Sequence, residues 1–276
     1  MQVKAVIFDW AGTLVDFGSI APLVSIRRAF EESDIELNDS DIREGMGLSK
    51  PDHILQITRS DHVTAQWLEK HGKPFDDNDF ARIHDVYRAI NRHVASERGK
   101  LIDGALATVG ALRARDLMIG TTTSYSRDIL EPLLSVAKAQ GFDPDISICA
   151  DEVTTGRPAP LAVYQIMVTL GVFPPSSVIK VDDTPVGLME GKAAGTWTVG
   201  ISESGNGIGL SETDLAVLDP EERAARVQTA ARELVDAGAD YVIGSVAELP
   251  QVIDDINERL AEGERPELLE YEMEAA

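Results

Sequence analysis

The sequence predicts an α/β protein in which a parallel sheet is flanked by helices on both faces and a block of helices is inserted after the first strand. Three observations carry this. An unbroken apolar run, Ala5 to Phe8, opens the chain, and short continuous apolar runs suit strands buried on both faces. From Leu101 onward such runs alternate with helix-length segments, the pattern of parallel strands joined by crossover helices. In between, from about Ser19 to Ser96, apolar residues recur at helical spacing and no alternating strand pattern appears.

Taken in order, VKAVIFDWAGTLV (Val3 to Val15) is a strand running into a tight turn. The helical block contains IAPLVSIRRAF and ARIHDVYRAINRHV, in which Ile83, Val86, Ile90 and Val94 share a face. Asp39, Ser40 and Asp41 offer helix starts. After Leu101, GALATVGALRARD is a helix and LMIGTTT a strand; RDILEPLLSVAKAQ is a helix and DISICA a strand. APLAVYQIMVTLG is a helix, SVIKVDD a strand, PVGLMEGKAAG a helix and TWTVGI a strand. A helix from about Pro220 to Gly238 precedes the strand DYVIGS, and a last helix covers about Val246 to Leu260. The acidic tail AEGERPELLEYEMEAA reads as a mobile or surface extension. The expected division is a core of residues 1–18 and 100–276 and a helical domain of residues 19–99, with hinges near Asp16 to Ser19 and Glu97 to Asp103.

The chain carries 47 acids against 25 bases, a net charge of −22. That argues against nucleic acid or an anionic membrane as partner, and an anionic substrate then needs a locally positive site. An acidic surface with only eight lysines also suits a salt-rich environment. The same scarcity draws attention to any lysine flanked by apolar or small residues. There is no charged-then-apolar signal segment, and no apolar run approaches the ~20 residues of a membrane span. Cys149 is the only cysteine, which leaves no intramolecular disulfide or thiolate cluster and suits a core residue. The expectation is a cytoplasmic protein. GNGIGL (Gly205 to Leu210) is not a dinucleotide fingerprint and reads as a flexible loop. His62, His71, His84 and His93 show no metal-ligand spacing, and Trp10 reads as packing.

Chemistry-bearing residues cluster at strand ends, where open α/β sheets bind ligands. Asp9 ends the first strand; it is a site candidate or merely a turn cap. Thr121, Thr122 and Thr123 end the second and are followed by Ser124 and a helix, whose hydroxyl and free N–H groups can hold an oxyanion or serve as a plain N-cap. Arg157, in TGRP before a proline-started helix, is a fork suited to phosphate or carboxylate, or a solvated charge. Asp182 and Asp183 end a later strand; adjacent carboxylates repel unless a cation is near, and hard oxygen ligands suit Mg²⁺.

In the helical block, GMGLSKPDH sets Lys50 before Pro51. Proline favours the first helical turn, so Lys50 falls at a helix N-terminus, where the dipole and any burial favour the neutral amine that imine formation with an aldehyde needs. The same residues also fit an exposed structural lysine. His53, one turn on, fits either a proton relay or a helix-surface histidine.

Together and in this order, DWAGT, Thr123, Arg157 and DDT resemble the four motifs of the haloacid dehalogenase superfamily of phosphotransferases, and the helical block resembles its inserted cap. The resemblance implies a Rossmann-like core, an aspartyl phosphate on Asp9, and Mg²⁺ held by Asp9, the Ala11 carbonyl and Asp183. Two departures matter. Phosphatases of the family usually carry aspartate where this chain has Ala11, as the acid that protonates a leaving oxygen. Many relatives also have glycine before the metal-binding aspartate and an acid four residues after it, where this chain has Asp182 and Gly187; Asp182 is then a more distant support or a ligand through water.

DWAGT with alanine, MGLSKPDH, TTTSYSR and GRPAP together resemble the C–P bond-cleaving branch of that superfamily. This implies hydrolysis of phosphonoacetaldehyde to acetaldehyde and phosphate through an imine on Lys50. By matching position, Gly12, Thr123, Ser124 and Arg157 would contact the phosphoryl group, Met46, His53 and Tyr125 would line the site, and a homodimer paired through the cap is expected. The alternatives are another hydrolase of the superfamily (a phosphatase or dehalogenase) without an imine, or a catalytically silent binding protein on this fold.

Overall fold

The computed structural model describes residues 1–267; the expectation of a mobile or surface extension beyond that point lies outside the described residues. Six strands form one parallel sheet in the order β3-β2-β1-β4-β5-β6. They are β1 (Ala5–Phe8), β2 (Met118–Thr123), β3 (Ile146–Cys149), β4 (Val178–Asp182), β5 (Trp197–Ile201) and β6 (Tyr241–Ile243). The apolar runs become central strands because both faces are covered: Val6 and Phe8 enter one buried cluster, Ala5 and Ile7 the other. From β1 the chain builds outward through β2 and β3, then returns to place β4 on the other side of β1. The strand order therefore reverses between β1 and β4, the position at which open α/β sheets form a binding crevice.

Between β1 and β2 come α1 (Ile20–Glu31), α2 (Asp39–Arg43), α3 (Lys50–Thr58), α4 (Asp61–His71) and α5 (Asp77–Glu97). The cap of α2 is Asn38, one residue before the expected start, and the Asp41 side chain accepts from the Asn38 N–H to close a capping box. On α5 the buried stripe is Ile83, Tyr87, Asn91 and Val94, with Val86 and Ile90 only half-buried. The stripe is turned from the expected face because Asn91 donates to the Tyr87 hydroxyl (2.8 Å) and accepts from Ser25 of α1 (2.9 Å), so two polar residues are buried in partnership.

The outgoing and returning connections lie side by side, with Ile102 N–H donating to the Leu14 carbonyl at 2.8 Å. Asp16, Gly18 and Ser19 on the outgoing one all have left-handed φ. The remaining helices are α6 (Ala105–Arg113), α7 (Arg127–Ala139), α8 (Leu161–Leu170), α9 (Pro185–Ala194), α10 (Glu212–Ala216), α11 (Pro220–Asp236) and α12 (Leu249–Glu262). The sequence pattern gives no sign of α10, whose five residues are too few for a period. One apolar cluster runs without a break from Ile26 and Phe30 of α1 to Phe8 of β1 and Ile253 of α12, so the inserted helices are seated on the sheet. No described helix is long and apolar enough to cross a membrane.

Candidate active site

Beyond the carboxyl ends of β1, β2 and β4, roofed by the segment before α3, lies an inner chamber of about 20 Å³. Its core wall includes Asp9, Ala11, Thr123, Ser124, Tyr125 and Arg157; Met46 and Lys50 come from the inserted helices. Gly12, His53 and Asp183 stand behind this lining. Asp9 is fixed by its backbone N–H, which extends the β1 ladder to the Val181 carbonyl at 2.9 Å. Its carboxyl is pushed up to about 6, first by burial and then by Asp182, with Arg157 and Lys180 opposing.

Arg157 is buried and its guanidinium is ringed by carboxylate and hydroxyl oxygens, while its Nε has no hydrogen-bond partner among the described residues. Nη2 lies 2.8 Å from Asp9 Oδ1 and donates to Thr122 Oγ1 at 2.7 Å. Nη1 lies 3.4 Å from Asp182, and Nε 3.0 Å from Glu190. The solvated-charge reading of Arg157 is thereby excluded. Lys180 Nζ donates to Asp182 at 2.6 Å and lies 3.6 Å from Glu190. Burial opposes the charge on Asp182, but Lys180 and Arg157 outweigh it and hold its carboxyl below the usual range. Asp182 also accepts from the N–H (3.0 Å) and hydroxyl (2.7 Å) of Thr184.

Asp183 has no cationic side chain in ion-pair reach among the described residues. It accepts only from the Thr13 hydroxyl (3.2 Å) and the Asn206 backbone N–H (2.7 Å). Burial, then Asp9 and Asp182, push its carboxyl well above the usual range. Asp9, Asp182 and Asp183 each present an oxygen within 4.8 Å of the others. Crowded hard oxygens fit a metal cation; Asp182 is engaged by Lys180 and Thr184 and Asp9 Oδ1 by Arg157, which leaves Asp183 and the second oxygen of Asp9 to meet it. Gly12 belongs to this arrangement through its backbone: its φ is +84°, and a Cβ there would fall 2.2 Å from Asp183 Oδ2.

Two expectations are corrected here. GNGIGL is not a loose loop: Ser204, just before it, donates to the Gly12 carbonyl (2.7 Å), and Asn206 within it holds Asp183. The helix after the threonine run starts at Arg127, where the sequence pattern places it, but its N-cap is Ser126, so Ser124 is not the capping residue. The Arg127 N–H is taken by Asp151, so the first N–H of that helix serves the loop after β3. Thr123 Oγ1 instead accepts from the Tyr125 N–H at 3.1 Å and fixes the turn carrying Ser124 and Tyr125.

Lys50 opens α3, with Ser49 as N-cap and Pro51 next. It is 3% exposed, and its Nζ has no hydrogen-bond partner among the described residues. Burial pulls the amine down to about 8, with Asp9 opposing and Arg157 assisting. His53 is fully buried with Nε2 2.7 Å from the Ile42 carbonyl. A carbonyl only accepts, so Nε2 carries the proton and Nδ1, without a partner among the described residues, is a free acceptor. Burial and Lys50 pull the ring to about 3, so it is neutral. The helix-surface reading of His53 is excluded. The Tyr125 hydroxyl is likewise buried and unpartnered among the described residues. Outside, a cavity of about 520 Å³ between α3, α5 and the loops after β2 and β3 shares Lys50 and Ser124 with the chamber.

Sequence reasoning missed Lys180, Glu190 and Asn206. Lys180 carried a signal: it lies between Ile179 and Val181 in an apolar strand, and it shares a strand face with Asp182 by the two-residue period. Glu190 lies among apolar and small residues of α9 but faces Arg157 only through the packing of that helix on β4.

The haloacid dehalogenase-like hydrolase family model matches residues 6–201. The chain is 44% identical over 265 residues to a phosphonoacetaldehyde hydrolase of Paraburkholderia xenovorans, covering 96% of this chain and 99% of that one. It is 39% identical over 267 residues to that of Klebsiella pneumoniae, with 96% and 99% covered. The crystal structure of a phosphonoacetaldehyde hydrolase-like protein from Oleispira antarctica superposes with a TM-score of 0.95 at 38% identity, covering 96% of each chain.

Proposed function

The chain belongs to the haloacid dehalogenase-like hydrolases, among the phosphonoacetaldehyde hydrolases, and from that premise we propose a mechanism in which Lys50 and Asp9 share the cleavage of the C–P bond. The enzyme hydrolyses phosphonoacetaldehyde to acetaldehyde and phosphate. Lys50 Nζ attacks the aldehyde carbonyl and water leaves, giving a protonated imine. An Asp9 oxygen attacks phosphorus, the C–P bond breaks, and its electron pair passes into the imine to form an enamine. Proton transfer to the enamine carbon and hydrolysis release acetaldehyde and the free amine. Water then cleaves the aspartyl phosphate.

Arg157, Thr123, Ser124 and the backbone around Gly12 hold the phosphoryl oxygens, while Met46, Tyr125 and His53 close the aldehyde side. Mg²⁺ held by Asp9, the Ala11 carbonyl and Asp183 would neutralise charge on the transferring group. The observation that carries this reading is the buried amine of Lys50, lacking a partner among the described residues, in one chamber with Asp9 and Ala11. A carbon leaving group whose electrons enter an imine needs no acid at residue 11, which accounts for the alanine.

The same proposal divides the chain into a core of residues 1–18 and 100–276 and a cap of residues 19–99. A chamber of about 20 Å³ holds roughly one water, so the cap opens to admit substrate through the outer cavity. A homodimer and a cytoplasmic setting belong to this reading. The test is release of phosphate and acetaldehyde by the pure protein, together with borohydride and substrate. Borohydride should inactivate the wild type irreversibly and label the peptide containing Lys50. Labelling that survives in Lys50→Arg would overturn the imine.

A further inference from the structure

Arg88 and Arg98 of the cap reach core carboxylates, Asp128 and Asp16; a third cap arginine, Arg43, meets the core through neutral partners. Arg43, the last residue of α2, donates from Nη1 to the Gly18 carbonyl (3.2 Å), the Asn206 carbonyl (3.0 Å) and Asn206 Oδ1 (2.8 Å). Its Nη2 donates to the Gly209 carbonyl (3.2 Å), and Asn206 Nδ2 donates back to the Arg43 carbonyl (3.3 Å). Among the described residues no carboxylate lies in ion-pair reach of Arg43. One guanidinium thus binds the outgoing connection, at Gly18, and the loop after β5, at Asn206 and Gly209. Only a rigid fork spans acceptors on two segments in this way.

Asn206 is the joint. Its side chain and carbonyl face Arg43, while its own N–H donates to Asp183 Oδ2 at 2.7 Å. The residue is 8% exposed, so the contact is shielded from competing water. The cap segment held by Arg43 is also the one that carries Met46 and Lys50 into the chamber. Seating the cap and orienting Asp183 therefore use the same few hydrogen bonds.

We infer that Arg43 is a positioning residue that couples cap closure to the divalent-cation site, acting through Asn206 on Asp183. The inference rests on the reading of Asp183 as a cation ligand. Outer partners that orient a ligand carry about 10- to 100-fold in metal affinity. Coupling between two sites is also reciprocal: a cation bound at Asp183 favours the closed cap, and the closed cap favours the cation.

The test is Mn²⁺ binding, measured by calorimetry on the full-length protein without substrate, for wild type, Asp183→Asn, Arg43→Met and Asn206→Ala. Asp183→Asn should lose binding; if it binds as wild type does, the cation-site reading itself fails. Arg43→Met and Asn206→Ala should each bind Mn²⁺ about tenfold more weakly. Affinities within twofold of wild type in both, with Asp183→Asn impaired, overturn the coupling alone. Should Arg43→Met fail to fold, Asn206→Ala decides, since it keeps the backbone contacts. In the reciprocal measurement, Mn²⁺ should slow acylation of Lys50, read by peptide mass spectrometry, in wild type but not in Asn206→Ala. Equal protection in both proteins also overturns the coupling.

Discussion

The carboxylate of Asp182 stands where a side chain at residue 187 would begin: a Cβ built on Gly187 falls 2.0 Å from its Oδ2. An acid rooted in β4 thus fills the space beside Gly187, the position at which the family resemblance leads one to expect an acid from the following helix. Lys180 and Arg157 bind the Asp182 charge there.

This exclusion predicts a paired effect. Gly187→Ala overpacks a buried site and should cost about 1–3 kcal/mol of stability, and Gly187→Glu more. Asp182→Gly alone should leave Lys180 and Arg157 undercompensated and lower kcat/KM by about 10- to 100-fold. The double variant Asp182→Gly, Gly187→Glu should recover much of both losses. Thermal unfolding and kcat/KM check this, and strictly additive losses would show that the two positions do not share one space.

Lys50 should set the alkaline requirement of the reaction. With its amine at about 8, kcat/KM should fall about tenfold per pH unit on the acid side of that value, because only the neutral amine attacks the aldehyde. The stability sign follows from the same shift. The folded pKa, about 8, lies below the ordinary 10.5, so the unfolded chain binds more protons between those values and stability rises with pH across that window. Lys50→Met should therefore abolish turnover yet stabilise the protein at pH 7 by roughly 3 kcal/mol. A lower melting temperature for Lys50→Met would contradict the buried, unpaired amine.

Divalent cation should stabilise the resting enzyme. At a hundred times its Kd, a ligand specific to the folded state adds about 2.7 kcal/mol, a rise in Tm of roughly 5–10 °C for a chain of this size. Mg²⁺ should produce this shift in the wild type and not in Asp183→Asn, and a chelator should abolish activity reversibly. Full activity after exhaustive chelation would remove the metal from the mechanism.

Residue 11 should decide the leaving group. Ala11→Asp restores an acid beside the nucleophile, and general acid catalysis is worth about 10²–10⁴-fold. Phosphomonoester hydrolysis should rise by about a hundredfold over wild type, while C–P cleavage falls, since the added charge lies in the same chamber as Lys50. A variant that gains no phosphomonoester activity would show that the alanine is not what separates the two chemistries.

The sheet, its helices, Asp9, Thr123 and Asp183 were legible because each is a local statement. A continuous apolar run defines a buried strand, and its last residue is delivered to the crevice by the period of the chain alone. Lys50 was legible as a helix-start residue through Pro51, but its burial was not, since the apolar cluster that encloses the inserted helices is assembled from segments far apart in sequence. The face of α5 was misread for the same reason: Tyr87 and Asn91 are buried only because Ser25 of another helix completes their hydrogen bonds.

By itself, then, the sequence determined which chemical groups stand at the strand ends and in what order, because strand and turn propensities act over a few residues. Tertiary structure alone decided which of those groups share charge. Arg157 meets Asp9, Asp182 and Glu190 at once, Asp182 fills the space a side chain at residue 187 would enter, and Asn206 turns a glycine-rich loop into a support for Asp183. Each of these depends on distances of a few ångströms between segments separated by many residues, where burial strengthens every charge and leaves none of them indifferent to its neighbours.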